Sequence, residues 1–182
     1  MLEILEEKLL KLPSDVRERV TTHRADMTNF SLDKTFKLVI LPVTSISLLI
    51  ELEQFRSLFK CVYDHMESGG RFIFDYRTPD SILQNPSRNM PHCLTWDHGE
   101  NNKEFALCSE FVDEFSSRFY INFYTEQIED GTTKRFFASS EKKVIYDDVI
   151  DVAIAENFTL LDSFTEELSP NAKIKFVILE KP

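Results

Sequence analysis

The apolar residues of this chain recur with two different periods, and the order in which those periods alternate predicts most of the architecture. Leu2, Leu5, Leu9 and Leu12 fall at helical spacing with Glu and Lys between them, so Leu2 to Leu12 reads as an amphipathic helix stopped by Pro13. No capping residue stands ahead of it, which hints that the chain begins inside a larger pattern. Val20 to Thr22 is β-branched and runs on to Asp26, the signature of a short strand entering a loop. "FKLVILPV", from Phe36 to Val43, is a continuous apolar run of strand length, and a strand without alternation is expected to be buried on both faces of a parallel sheet. Pro42 closes it, because proline has no donor for the ladder of an inner strand. From Ser47 to Met66, Leu48, Leu49, Leu52, Phe55, Phe59, Val62 and Met66 step by three and four, predicting a long helix with one buried face and Gly69 as its C-terminal glycine. "RFIFDY" is the next buried strand, which makes strand, helix and strand a right-handed βαβ crossover.

Polarity then rises. Pro79, Pro86 and Pro91 interrupt any period between Thr78 and Lys103, which reads as a long loop or lid of the kind that often carries function. "EFALCSEFVDEF", "SRFYINFYTEQI" and "TTKRFFASSEK" follow as antiparallel strands, the last two joined at Asp130-Gly131, a strong hairpin signal. The end of the chain returns to α/β with a helix through Val149, Val152, Ala153 and Ala155, a strand in "FTLLDSFTEE" and a last strand in "KIKFVILEKP". There is no repeat, low-complexity segment or linker. The expectation is one α/β domain over residues 1–182, with a loop and antiparallel strand insertion at 78–140.

Composition agrees with a single packed domain: 182 residues, 42% hydrophobic, sixteen of them Phe. The formal net charge of −10, with no long basic run, argues against a nucleic-acid partner and is the charge of a soluble surface. Cys61, Cys93 and Cys108 are odd in number and form no CxxC pair, so neither a disulfide framework nor a zinc site is expected. "PHCLTWDH" gathers His92, Cys93, Asp97 and His98, but a polar loop with two His is commoner than a metal site, and no metal is expected. No apolar run approaches the roughly twenty residues that span a bilayer, and the acidic first residues are unlike a targeting peptide. The expectation is a cytoplasmic protein with no membrane partner.

The order of these elements resembles the second two-thirds of a class I methyltransferase dependent on S-adenosylmethionine. The segments that carry the resemblance are "VTTHRADMTNF", "FKLVILPVTSISLL", "CVYDHMESGGRFIFDY" and "KIKFVILEKP", above all the Ala25-Asp26-Met27 step and the Ser68-Gly69-Gly70 turn. The resemblance implies a partial Rossmann-like methyltransferase sheet with an antiparallel hairpin insertion. It implies that Asp26 accepts a hydrogen bond from the adenine amino group while the Met27 amide reaches the ring nitrogen, a complementary pair of acceptor and donor. An Asp at a strand end is equally an ordinary turn residue. Leu41 to Ser45 is expected under the methionine part of the cofactor and beside the substrate, since ligands of open α/β sheets bind outside the carboxyl ends of strands. Leu41 is thus a cofactor candidate, Ser45 and Tyr76 are substrate candidates, and Thr44 and Ser45 are equally suited to capping the next helix. Asp75 either caps the loop after its strand or faces the pocket. Tyr76, His65 and His92 are weak candidates for a general base, and no catalytic residue is assigned.

Two departures from the family matter. Family members that methylate amide or base nitrogens often carry Asn-Pro-Pro-Tyr where this chain has "LPVTS", which leaves small molecules as the expected substrates. The cofactor loop needs a Gly-x-Gly turn, and the four glycines here are Gly69, Gly70, Gly99 and Gly131. In the resembled topology two strands would lie between the Val20 strand and Phe36 to Leu41, a gap of about 14 Å at about 4.8 Å per strand. Three outcomes are expected: the Val20 strand closes against Phe36 to Leu41, a homodimer partner or other chain fills the gap, or the sequence is an N-terminally truncated fragment. The function expected is a small-molecule methyltransferase domain, weakly active or inactive alone, with a non-catalytic methyltransferase-like interaction protein as the alternative.

Overall fold

The computed structural model describes residues 2–84, 91–97, 102–113, 115–169 and 172–182. The chain opens with α1 (Leu2–Leu9) and a single turn, α2 (Ser14–Arg17), neither of which contains a buried residue. The strand expected at Val20 to Thr22 is absent. That stretch has no ladder partner, and an extended segment holds its conformation only when paired. What remains is a tight turn, in which an isolated bridge joins Asp26 and Asn29.

A four-stranded mixed sheet follows, ordered β1-β2-β8-β7: β1 (Phe36–Leu41), β2 (Met66–Arg77), β7 (Thr159–Ser169) and β8 (Ala172–Glu180). β1 and β2 are parallel, as expected for the crossover, while β8 runs antiparallel to both its neighbours. The helix of the crossover is shorter than its apolar period predicts. A 3-10 turn at Ser45–Leu48 precedes α3 (Leu52–Asp64), and the break between them is stabilised by Gln54, whose Oε1 accepts the N–H groups of Ile50 and Glu51 at 2.8 and 2.9 Å. Gly69 does not end this helix. α3 stops at His65, and Gly69 and Gly70 lie inside β2, where Gly69 has φ +75° and its N–H donates to the Lys181 carbonyl at 2.7 Å.

The core fills one face of this sheet. Phe72, Phe74 and Tyr76 of β2, with Val177 and Leu179 of β8, pack against Phe55, Leu58, Phe59 and Val62 of α3 and against Val149, Ile150 and Ala153 of α5 (Asp148–Ala155). Phe59 is fully buried, its ring centroid 5.8 to 6.2 Å from those of Phe72, Phe74 and Phe158. The opposite face is open, contrary to the expectation of a strand buried on both sides. Leu38 and Ile40 are 50% and 55% exposed and Phe164 is 43% exposed. Nor does the Val20 segment close against β1, which is the edge strand of the sheet.

The stretch between the two α/β parts contains α4 (Pro79–Leu83) and a second sheet, ordered β3-β4-β5-β6: β3 (His92–Asp97), β4 (Asn102–Asp113), β5 (Arg118–Glu129) and β6 (Thr132–Lys143). The three predicted antiparallel strands are present. The Asp130-Gly131 hairpin forms with φ +46° and +76°, and Glu129 pairs with Thr132 across the two-residue loop. The sheet is fastened to the core in three places. Arg77 Nη1 donates to both Glu110 carboxylate oxygens, at 2.8 and 3.1 Å, in a largely buried ion pair. Arg118 bridges Glu141 and Glu51, and Ile82, Phe119 and Val144 form a small apolar cluster.

Candidate functional site

The carboxyl ends of β1 and β2 meet one unusual feature of the backbone. Val43 and Thr44, immediately after β1 and Pro42, both sit in the left-handed region, at φ +61° and +53°. A β-branched residue there is sterically costly, and such strain persists only where the surroundings impose it. The restraint is visible. Thr44 N–H donates to Asp75 Oδ2 at 2.8 Å, and Asp75 is only 7% exposed near the end of β2. Ser45 Oγ closes the turn by donating to the Pro42 carbonyl at 2.6 Å. Asp75 was left open between capping and pocket by its sequence; here it holds the turn that ends the neighbouring parallel strand.

Between α3, α5 and the second sheet lies a half-open cavity of ≈ 330 Å³. Leu52 and Phe55 of α3, Val149 and Val152 of α5, and Lys143 and Ser117 from the second sheet are among its walls. Its walls are mixed, with Ser117, Lys143 and Asp148 beside the apolar side chains.

None of the residues expected at the site is among the walls of this cavity. Leu41 packs toward the core at the end of β1, and Ser45 begins the 3-10 turn. Asp26 is exposed on its loop, and its Oδ1 accepts the N–H and hydroxyl of Thr28 at 2.8 and 2.7 Å, which lowers its pKa. Met27 packs against the main core cluster, so the loop lies on the domain. Two side chains of α3 and its cap hold that loop. Phe30 N–H donates to Cys61 Sγ, and Cys61 donates to the Phe30 carbonyl at 3.2 Å. His65 Nε2 accepts the Leu32 N–H at 2.9 Å while Nδ1 faces the Cys61 carbonyl at 2.8 Å, the pattern of a neutral ring protonated on Nδ1. With both nitrogens engaged, His65 has no free position for general-base work. His92 and Cys93 lie on β3, His98 lies outside the described residues, and among the described residues no three metal-type ligands gather.

Tyr76 is fully buried on the core face, and its hydroxyl donates to Asp147 Oδ1 at 2.7 Å, just ahead of α5. Asp147 also pairs with Lys175. Burial first, and the Asp147 bond second, push the Tyr76 phenol well above its ordinary value of 10.0, while Lys175 and then Tyr76 lower the carboxyl of Asp147. Below pH 10 the phenol is protonated whether folded or not, and its contribution is complete. Above pH 10 the unfolded chain ionises first, so stability falls as pH rises. Tyr76→Phe is expected to cost about 1 kcal/mol near neutrality. Its melting temperature is expected to fall less steeply above pH 10 than that of the unsubstituted chain in thermal scans. The Tyr76–Asp147–Lys175 chain spans steps of 71 and 28 positions and the Arg77–Glu110 pair one of 33, and no local motif announces either.

Sheet order, crossover and inserted sheet together define the fold of a class I S-adenosylmethionine-dependent methyltransferase. Comparison with solved structures bears this out. An S-adenosylmethionine-dependent methyltransferase from Clostridium acetobutylicum is similar over 99% of this chain and 72% of its own, with TM-score 0.73 and 16% identity. The CcbJ methyltransferase of Streptomyces caelestis matches 100% of this chain and 75% of its own, with TM-score 0.73 and 13% identity. The glycopeptide N-methyltransferase MtfA, complexed with S-adenosyl-L-homocysteine, matches 100% of this chain and 68% of its own, with TM-score 0.64 and 18% identity. Comparison by sequence finds neither a matching protein family nor a matching curated protein.

Proposed function

We propose that this chain is a methyl-transfer domain with S-adenosylmethionine as methyl donor and a small molecule as acceptor. The observation that carries the reading is the strained Val43-Thr44 turn held by buried Asp75. It stands at the carboxyl end of a parallel strand, where open α/β sheets bind their ligands. The residues present suit part of the donor. Exposed Asp26 offers a carboxylate to the adenine amino group, the Met27 amide a donor to the ring, and Leu41 an apolar floor. Ser45 faces the acceptor in this reading. Tyr76, which reaches no solvent, contributes by fixing the end of β2 against Asp147. The ribose and carboxylate end of the donor has no counterpart here, because none of the four glycines forms a Gly-x-Gly turn. When bound, the donor supplies an electrophilic sulfonium methyl; the chain's own part is to hold and orient the two partners and to keep water out.

Isothermal titration of the purified chain with S-adenosylmethionine and its demethylated product tests this. Saturable binding with a dissociation constant of about 0.1–1 mM is expected, lost in Asp26→Ala. A folded chain that takes up neither compound at millimolar concentration would overturn it. That result would favour the second reading, a non-catalytic methyltransferase-like interaction protein, which draws support from the absent glycine turn and the uncovered edge of β1. Acidic charge and the lack of Asn-Pro-Pro-Tyr argue for small molecules over nucleic acid as acceptors. Among the described residues no helix is long and apolar enough to cross a membrane.

A further inference from the structure

Exposed edges of sheets are normally protected by charge, proline or cover. The edges of this protein differ in that respect. β7, at the far end of the main sheet, carries Asp162, Glu166 and Glu167, and β6, at an end of the second sheet, carries Lys134, Arg135, Glu141, Lys142 and Lys143. β1 carries one charge, Lys37, followed by four apolar residues, Leu38 to Leu41. Among the described residues, no backbone hydrogen bond outside the β1–β2 ladder reaches Lys37 to Leu41. The face beside that edge is apolar and open, with Leu38 and Ile40 half exposed. The same chain holds a second unpartnered element. α1 buries none of its residues, and Ile4 and Leu5 are 57% and 40% exposed.

We infer that a second copy of this chain docks on the β1 edge, pairing β1 with β1 about a two-fold axis and laying its α1 over the Leu38–Ile40 face. Three observations commit the surface to this occupant. The first is register. Antiparallel pairing centred on Val39 sets Leu38 opposite Ile40 of the second copy, and Lys37 opposite Leu41, so the apolar pairs meet and the two lysines do not. An axis perpendicular to the sheet keeps both open faces on one side, which creates a single apolar surface of doubled width. The second is charge. α1 carries Glu3, Glu6 and Glu7 against the single Lys8, while the open face is bordered by exposed Arg71, directly across from Leu38 in the β1–β2 register, and by Lys34, whose ammonium lies over the Phe36 ring. An acidic amphipathic helix therefore matches the rim as well as the floor. The third is area. A strand the length of β1 spans about 20 Å, and its pairing alone falls short of the 1,200 Å² or so that a stable interface buries, so the two α1 helices are needed to reach it. The dimer does not rest on the methyl-transfer reading and is separable from it.

Sedimentation velocity of the purified chain at micromolar concentration tests the proposal. Twice the monomer mass is expected, with a shift to monomer in Ile40→Glu and, separately, in Leu5→Glu. Both side chains are exposed in the single chain, so folding should survive; circular dichroism checks this, and if Ile40→Glu unfolds, Leu5→Glu decides. A monomeric unsubstituted chain, or a dimer indifferent to both substitutions, overturns the proposal. The first of those results would leave the edge to a partner of another kind, such as a separate strand-bearing chain.

Discussion

Replacing Phe59 with alanine is expected to destabilise the chain by about 3–5 kcal/mol, the largest effect of any single truncation proposed here. Phe59 has no exposed surface, and its ring is the point where α3, β2 and the segment leading into β7 meet, through Phe72, Phe74 and Phe158. Alanine would leave a cavity walled by aromatic rings, which cannot collapse without moving a strand. A domain of this size has about 5–15 kcal/mol in total, so the variant should sit near the edge of folding. Urea denaturation followed by tyrosine and tryptophan fluorescence measures the loss. A decrease below about 1 kcal/mol would mean that the aromatic cluster is not the centre of the core.

The second large effect belongs to a glycine. A Cβ on Gly70 would stand 2.8 Å from the Glu67 carbonyl oxygen and 3.1 and 3.3 Å from those of Phe36 and Lys37. All three are backbone atoms, so no side chain can swing aside. The collision falls where the β1–β2 register shifts between Phe36 and Leu38, and where Lys181 N–H donates to the Gly70 carbonyl at 3.0 Å. Gly70→Ala is expected to cost about 2–3 kcal/mol, which lowers the melting temperature by about 5–10 °C in a chain of this length. Gly69→Ala makes the contrast. Its Cβ meets nothing within 4 Å, and only the left-handed backbone at φ +75° resists it, so about 1 kcal/mol is expected. Equal losses at the two positions would contradict the packing described.

Much of this architecture was legible from periods and punctuation. The apolar run of β1, the three- and four-residue steps of α3, and the Asp130-Gly131 hairpin each depend on neighbours close in sequence, and each forms within the stretch that predicts it, α3 shorter than its period. The failures are of another kind. The Val20 to Thr22 segment has the composition of a strand, but a strand is a property of a pair, and no partner lies beside it. Gly69 follows a helix and reads as its terminator, yet the close approach of β1 to Gly70 and the bond to Lys181 draw both glycines into β2. β1 was read as buried twice over because its composition is that of an inner strand; its open face shows that composition records what a segment suits, not what covers it. Leu41 and Ser45 were drawn from the rule for strand ends, and they stand at the end of β1 and the start of the 3-10 turn. The left-handed pair Val43 and Thr44 could not be foreseen, since valine is among the residues that least favour that conformation.

The loop from Asp26 to Leu32 hangs from the last turn and cap of α3 by Cys61 and His65, while no sheet ladder supports it. Met27 and Phe30 seat it on the main core as well. The Val43-Thr44 turn is anchored differently, through Asp75 to β2. The two segments read as holding the donor are thus fastened to different elements, one to the last turn and cap of α3 and the other to β2.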